Sequence, residues 1–281
     1  MAIRRRWPGT ALAAWTRRAE SVAELRARPG LVDLATDDPA EAVAGADCVV
    51  LAMPTGHMAA VVERIPRFDP VDGRRVLVTD VGSVKGPVVR EIGPLVRARG
   101  GEFLGGHPMA GSEKKGLDHA AADLFEGAAV ILTSVGQEDK RLDINRLTSF
   151  WEGLGGGVTL LDPDRHDDLV AGISHLPHLV AAALARSVLG ARDGASALSG
   201  GGFRDTTRVA GGPEEMWAGI LHDNREAVSR RLDTYLAELR SWREALDSLD
   251  SDRLRDLLCE ARRLRGTLAP PPASQGSADP L

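Results

Sequence analysis

A chain of 281 residues is longer than one hydrophobic core usually organises, so two domains are expected. Its 35 Lys and Arg against 40 Asp and Glu leave a formal net charge of -5, which argues against nucleic acid as the main partner. Two cysteines, Cys48 and Cys259, cannot build a disulfide framework or a thiolate zinc site, and no apolar run reaches the roughly 20 residues of a membrane helix, so a soluble, cytoplasmic protein with no membrane partner is expected.

In chain order, Thr10 to Trp15 reads as a weak strand. Cys48 to Met53 is continuous in apolar residues, as a strand buried on both faces must be, and His57 to Arg64 follows with helical spacing. Val76 to Asp80 is a second such strand, and Gly86 to Arg99 is a helix opening with Pro87, where a missing N–H costs least. Glu102 to Gly105 and Ala129 to Thr133 are further strands, then Ile144 to Leu154 a helix and Val158 to Leu161 a last strand. This alternation implies a parallel sheet covered by helices. Beyond about Asp162 the pattern becomes long amphipathic helices, His166 to Leu189, Pro213 to Ser248 and Asp252 to Leu268, whose apolar sides need a partner. Residues 267–281, with Pro270, Pro271 and Pro272, have nothing to bury and read as a disordered tail.

Three segments carry chemistry. Asp80-Val-Gly-Ser-Val-Lys-Gly86 runs from the C-terminal edge of a strand into a helix, where ligands bind in open α/β sheets. Ser83 there either caps the helix or touches a ligand, and Lys85 reads as a surface or supporting charge. Gly105-Gly-His-Pro-Met-Ala-Gly-Ser-Glu-Lys-Lys-Gly116 puts His107 just past a strand, in a tight turn between Gly106 and Pro108. Imidazole titrates where a general base must, although a lone loop histidine is more often structural. In the helical half, Ser174-His-Leu-Pro-His178 sets His175 and His178 on one helix face, with His166 earlier on the same helix and Pro177 bending or locally opening it. No carboxylate completes a ligand set with them, so no metal is expected. Gly200-Gly-Gly-Phe-Arg-Asp-Thr-Thr-Arg208 looks like a phosphate loop but lacks a strand before it, and that reading is rejected.

In this order and spacing the segments resemble the prephenate and arogenate dehydrogenases, over about residues 10–240. The resemblance implies an NAD(P)-dependent oxidation of a cyclohexadienol acid, with decarboxylation, on the way to tyrosine. It implies that His107 accepts the hydroxyl proton and that Ser83 bridges that hydroxyl, the histidine and the nicotinamide. Arg208 would pair bidentately with the ring carboxylate, which guanidinium geometry suits. His178 would contact a substrate carboxylate, His175 would shape the pocket, His166 would stand behind them, and Glu113 would sit at the entrance. Asp205 either orients Arg208 by an ion pair or caps a helix starting near Thr206. Trp217 matches an aromatic gate, while a tryptophan on an amphipathic helix is more often core. On the cofactor side the resemblance implies Met53, Pro54, Gly82 and Ser83.

Such a domain ordinarily opens with a strand and a Gly-x-Gly-x-x-Gly turn whose N–H groups hold the pyrophosphate. This chain opens with Met1-Ala-Ile-Arg-Arg-Arg-Trp-Pro-Gly9, which resembles the end of the first helix. The first strand and its glycines are expected to be missing, the natural protein to be longer at that end, and cofactor affinity to be badly impaired without them. After the next strand, Thr16, Arg17 and Arg18 stand where an NAD enzyme places a carboxylate, and they suit a 2'-phosphate. NADP is therefore expected over NAD.

The expected architecture is an α/β Rossmann-like N-terminal domain, residues 1–161, and an all-α C-terminal dimerisation domain, residues 162–266. A small-molecule substrate would bind in the cleft between them, and a homodimer would form through the C-terminal helices. The substrate's side chain stays open between a ketoacid (prephenate), an amino acid (arogenate) and a 4-amino-4-deoxyprephenate analogue. A non-catalytic homologue that binds such an acid without turning it over is the rival reading.

Overall fold

The computed structural model describes residues 1–111, 116–133, 141–191 and 194–268; Glu113 and residues 269–281 fall outside them. The chain forms two compact units, Met1–Asp167 with Gly212–Asp223, and Asp168–Gly211 with Asn224–Leu281. The chain passes between these units inside a helix, and the first unit takes back a short helix from the second half.

In the first unit the elements are α1 (Ala2–Arg6), β1 (Ala13–Trp15), α2 (Ala19–Arg26), β2 (Leu34–Thr36), α3 (Pro39–Val43), β3 (Cys48–Leu51), α4 (Met58–Glu63), β4 (Leu77–Asp80), α5 (Gly86–Ala98), β5 (Glu102–Pro108), β6 (Ala129–Thr133), α6 (Arg141–Gly153) and β7 (Gly157–Leu161). The strands do not make one sheet. β1 pairs in parallel with β2, and a separate five-stranded sheet runs β3-β4-β5-β6-β7. Within it β5 and β6 are antiparallel, where a wholly parallel sheet was expected. The long stretch between them, which includes the short turn Leu117–His119, returns the chain to the sheet edge it left instead of crossing over.

Both faces of the larger sheet are covered, as parallel pairing requires. Strand alternation sends Val76, Val78 and Phe103 into one cluster with Met58 and Val62 of α4 and Val88, Ile92 and Val96 of α5. The intervening Leu77 and Leu104 enter a second cluster with Leu147 and Trp151 of α6, against which Ile3 and Trp7 pack.

In the second half of the chain, α7 (Pro163–Val170), a π-helical turn (Ala171–His175) and α8 (Leu176–Leu189) make one continuous run. Pro177 has no N–H and crowds the preceding turn, and the wide π turn just before it absorbs that misfit as a local opening of the helix, the second of the two expected outcomes. Because the run is not broken, Pro163–Leu189 is long and apolar enough by length and composition to cross a membrane, contrary to the reading of the sequence. Its histidines 166, 175 and 178 are buried and hydrogen-bonded inside protein. After α9 (Ala195–Leu198) and α10 (Gly201–Thr207), the expected helix Pro213 to Ser248 is two, α11 (Glu214–Asp223) and α12 (Arg225–Asp247), separated at Asn224. The last helix is α13 (Ser251–Arg265).

Candidate active site

The C-terminal ends of β4 and β5 build the centre of the site. β4 ends in Asp80, fully buried and ion-paired with Lys85. Its carboxylate also accepts the Gly82 N–H at 2.8 Å and the Gly106 N–H at 3.0 Å, fixing the loop after β4 against β5. Lys85 was expected as a surface or supporting charge; it is 0 % exposed. Burial pushes its ammonium below the ordinary lysine value, opposed first by Asp80 and then by Asp167. The glycines let these strands touch: a Cβ on Gly106 would stand 2.6 Å from the Asp80 carbonyl oxygen.

His107 lies inside β5, opposite Ile131 of β6, not in a turn beyond the strand. Pro108 misled the reading, since proline is tolerated where a strand stops. The ring is 7 % exposed, and its Nδ1 lies 2.8 Å from Nε2 of His166, itself fully buried. His166 Nδ1 lies in turn 2.7 Å from Oδ1 of Asp167. The Asp167 carboxylate accepts the N–H groups of Lys85 (2.7 Å) and Gly86 (2.8 Å) at the N-terminus of α5, where helix N–H groups favour an anion. With both rings neutral, a carboxylate acting only as acceptor has His166 donate from Nδ1 and accept at Nε2, so that His107 donates from Nδ1 and carries its lone pair on Nε2. The adjacent His166 and Asp167 at the start of a helical run were the sequence signal for this arrangement; His166 was read only as standing behind the other histidines. Ser83 sits half-buried in the loop after β4, at the same sheet edge.

In the second unit His175 is buried, with Nδ1 accepting from the Asn224 amide at 3.0 Å. His178 on α8 is held below the ordinary histidine range by burial, offset in part by a hydrogen bond to the backbone of Val209. Val209 belongs to the turn Arg208–Gly211, so the fold brings His178 beside the segment that carries Arg208. Arg208 itself is exposed. Asp205 lies within α10 with its side chain in solvent, so it caps no helix at Thr206, and among the described residues no ion pair joins it to Arg208. Trp217 is half-buried on α11, which belongs to the first unit.

Of the residues expected to hold the cofactor, Thr16, Arg17, Arg18, Met53 and Pro54 line a cavity of about 1260 Å³ in the first unit; Gly82 and Ser83 do not. Among these, Thr16 offers a hydroxyl and Arg17 and Arg18 offer exposed guanidiniums. No glycine-rich turn offering consecutive backbone N–H groups to a pyrophosphate occurs among the lining residues.

Residues 2–160 match the family model of the prephenate dehydrogenase nucleotide-binding domain, and residues 162–260 that of the prephenate dehydrogenase dimerization domain. The chain is 34% identical to a cyclohexadienyl dehydrogenase of Zymomonas mobilis over 84% of this chain and 80% of that protein. It is 32% identical to a prephenate dehydrogenase of Lactococcus lactis over 88% of this chain and 67% of the relative. Among solved structures it is similar to a prephenate dehydrogenase from Aquifex aeolicus in complex with hydroxyphenyl propionate and NAD+ (TM-score 0.82, 28% identity, 94% of this chain and 91% of that one). A Synechocystis arogenate dehydrogenase matches with TM-score 0.76, 30% identity and coverage of 94% and 93%.

Proposed function

The chain belongs to the prephenate dehydrogenase family, and on that premise we propose that it catalyses the NAD(P)-dependent oxidative decarboxylation of prephenate to 4-hydroxyphenylpyruvate. The observation that carries this reading is the buried chain Asp167–His166–His107, which sets an imidazole at the carboxyl edge of the sheet. His107 Nε2 takes the proton of the ring hydroxyl as the carbinol carbon is oxidised. A nicotinamide cofactor held by the first unit would supply the hydride acceptor. The ring carboxylate leaves as carbon dioxide and its bonding pair completes the aromatic ring, so that step needs no base. His166 and Asp167 act through His107: they hold its tautomer and ring plane and stabilise the positive charge that the proton brings. Ser83 is assigned the substrate hydroxyl, Arg208 the ring carboxylate and His178 a second substrate carboxylate, on the strength of the resemblance.

We assign a preference for NADP to the Thr16, Arg17 and Arg18 side chains, and a homodimer to the helical unit. Leu236, Leu239 and Leu246 of α12 stay exposed although apolar, as a helix awaiting a partner would leave them. Assay of the purified protein with prephenate, arogenate and the 4-amino analogue tests the reaction. Nicotinamide reduction with prephenate that disappears in His107→Asn is expected; reduction with none of the three at saturating cofactor would sink the reading.

A further inference from the structure

Within the first unit the Thr55 hydroxyl donates to Oδ2 of Asp223 at 2.5 Å, a contact between residues 168 positions apart that the proposed reaction does not use. Asp223 is the last residue of α11, where the free carbonyls of a helix end disfavour a carboxylate, so an acid there needs a donor of its own. Its side chain is 25 % exposed, and its other oxygen, Oδ1, lies 3.3 Å from Nδ1 of His222. No residue of α11 is buried, so this helix is not seated by an apolar core, and the bond from Asp223 to Thr55 is a specific attachment for it. Thr55 opens the turn Thr55–His57 after β3, in which the His57 N–H donates to the Pro54 carbonyl at 3.0 Å. Met53 and Pro54, just before it, belong to the wall of the cavity described above. The Thr55 methyl meets the loop after β4: a Cβ added to Gly82 would stand 3.1 Å from Thr55 Cγ2 and 2.9 Å from Asp80 Oδ2. The φ of Gly82 is not positive, so space and not backbone conformation requires glycine there.

We propose that Asp223 and Thr55 form a clamp that positions the loop after β3 against Gly82 and Ser83, and so sets the alignment on which turnover depends. The hydroxyl aims the Thr55 side chain and the methyl makes the contact, two tasks that serine or valine would each do only in part. Gly82 gives its N–H to Asp80, whose carboxylate also takes the Gly106 N–H beside His107. One row of contacts in the first unit therefore runs from the residue before His107, through Asp80 and Gly82, to Thr55, and Asp223 anchors its far end. Neither member of the clamp is a catalytic residue; both are positioning residues acting through the Gly82–Ser83 loop. Taking a hydride and a proton from one carbinol requires acceptor and base to be aligned together, and a misplacement of about 1 Å can cost about 100-fold in rate. The effect on turnover rests on the proposed reaction, whereas the clamp itself can be read in the free protein.

The test is a double-mutant cycle on the full chain: Thr55→Val, which keeps the shape and loses the hydroxyl, Asp223→Ala, and the two together, with Asp223→Asn as the conservative variant that keeps an acceptor. Hydrogen exchange of the cofactor-free proteins, read by mass spectrometry, should quicken at least tenfold at Thr55–Met58 and Val81–Lys85 in each single variant and no further in the double variant, while β6 and β7 keep the parental rate. With prephenate, kcat should fall at least tenfold in either single variant, with no further loss in the double variant and KM within about threefold of the parent. Asp223→Asn should stay within about threefold of the parent in both measurements. Losses that multiply in the double variant would mean two unrelated contacts and would overturn the clamp. So would parental exchange at both loops, or quickening that spreads to β6 and β7, which would make the pair a general contributor to stability. Exchange is read without substrate, so it decides the clamp even if the parent turns over none of prephenate, arogenate and the 4-amino analogue, a result that would count against the reaction alone.

Discussion

His166 Nε2 lies 2.8 Å from His107 Nδ1, and that hydrogen bond decides which nitrogen of His107 is basic. Asp167 sets its direction from the far side of His166. Asp167→Asn removes the obligate acceptor and lets His166 turn its proton the other way, which puts the proton of His107 on the wrong nitrogen. A kcat lower by at least ~100-fold with KM changed by less than about threefold is expected. Nitrogen NMR of labelled imidazoles should show the His107 tautomer population redistributed; loss of activity with the tautomer intact would remove Asp167 from this role.

The sequence revealed most of the sheet because its strands are continuous apolar runs, and what it hid depends on contacts far apart along the chain. β2 is three residues long and starts in no apolar run. The antiparallel pairing of β6 leaves no local mark, since a doubly covered strand reads the same in either direction. His107 and His166 are separated by 59 positions, so neither names the other. Lys85 looked solvated because its partner Asp80 belongs to the preceding strand, five positions away.

Lys85→Met tests the buried ion pair. It leaves Asp80 charged in the interior with only the Gly82 and Gly106 N–H groups for company. Breaking a buried pair from one side costs about 3–5 kcal/mol, and the two remaining donors place the expected loss near the lower end. Denaturant unfolding at pH 7 measures it. A loss below about 1 kcal/mol would mean that the pair contributes little.

Gly106→Ala tests the contact between β4 and β5. The added methyl would meet the Asp80 carbonyl at 2.6 Å, and neither partner is a flexible side chain, so the strands must separate. A stability loss of about 1–3 kcal/mol is expected, together with a fall in kcat, because His107 is the next residue on the displaced strand. Gly111→Ala, whose added methyl would meet nothing within 4 Å although its φ of +138° is strained, is the control: it should leave kcat nearly unchanged.

His178 gives a pH signature of its own. Its folded-state value lies below the ordinary 6.5, chiefly because it is buried. In the unfolded chain it takes up a proton as pH falls through about 6.5, and in the folded protein only at lower pH. The unfolded state binds more protons in that window, so this contribution to stability is complete above pH 6.5 and is lost as pH falls through the folded-state value. His178→Gln should flatten that part of the pH dependence in denaturant midpoints measured from pH 7.5 to pH 5. A curve parallel to the parent's would refute it.

Cofactor choice turns on Arg17 and Arg18, two exposed guanidiniums at the cavity end of β1. If they meet a 2'-phosphate, their loss should weaken NADP alone, because NAD offers a hydroxyl at that position and gives a guanidinium no charge to pair with. Each charge-assisted contact of this kind contributes about 1.5–3 kcal/mol, less where solvent screens it. The double substitution Arg17→Ala, Arg18→Ala should therefore raise Kd for NADP at least tenfold and change that for NAD by less than threefold, read by quenching of Trp15, whose indole is also in the cavity wall. Equal weakening of both cofactors would show that the arginines act on a part common to the two, and a parent protein that already binds NAD more tightly would end the assignment to NADP.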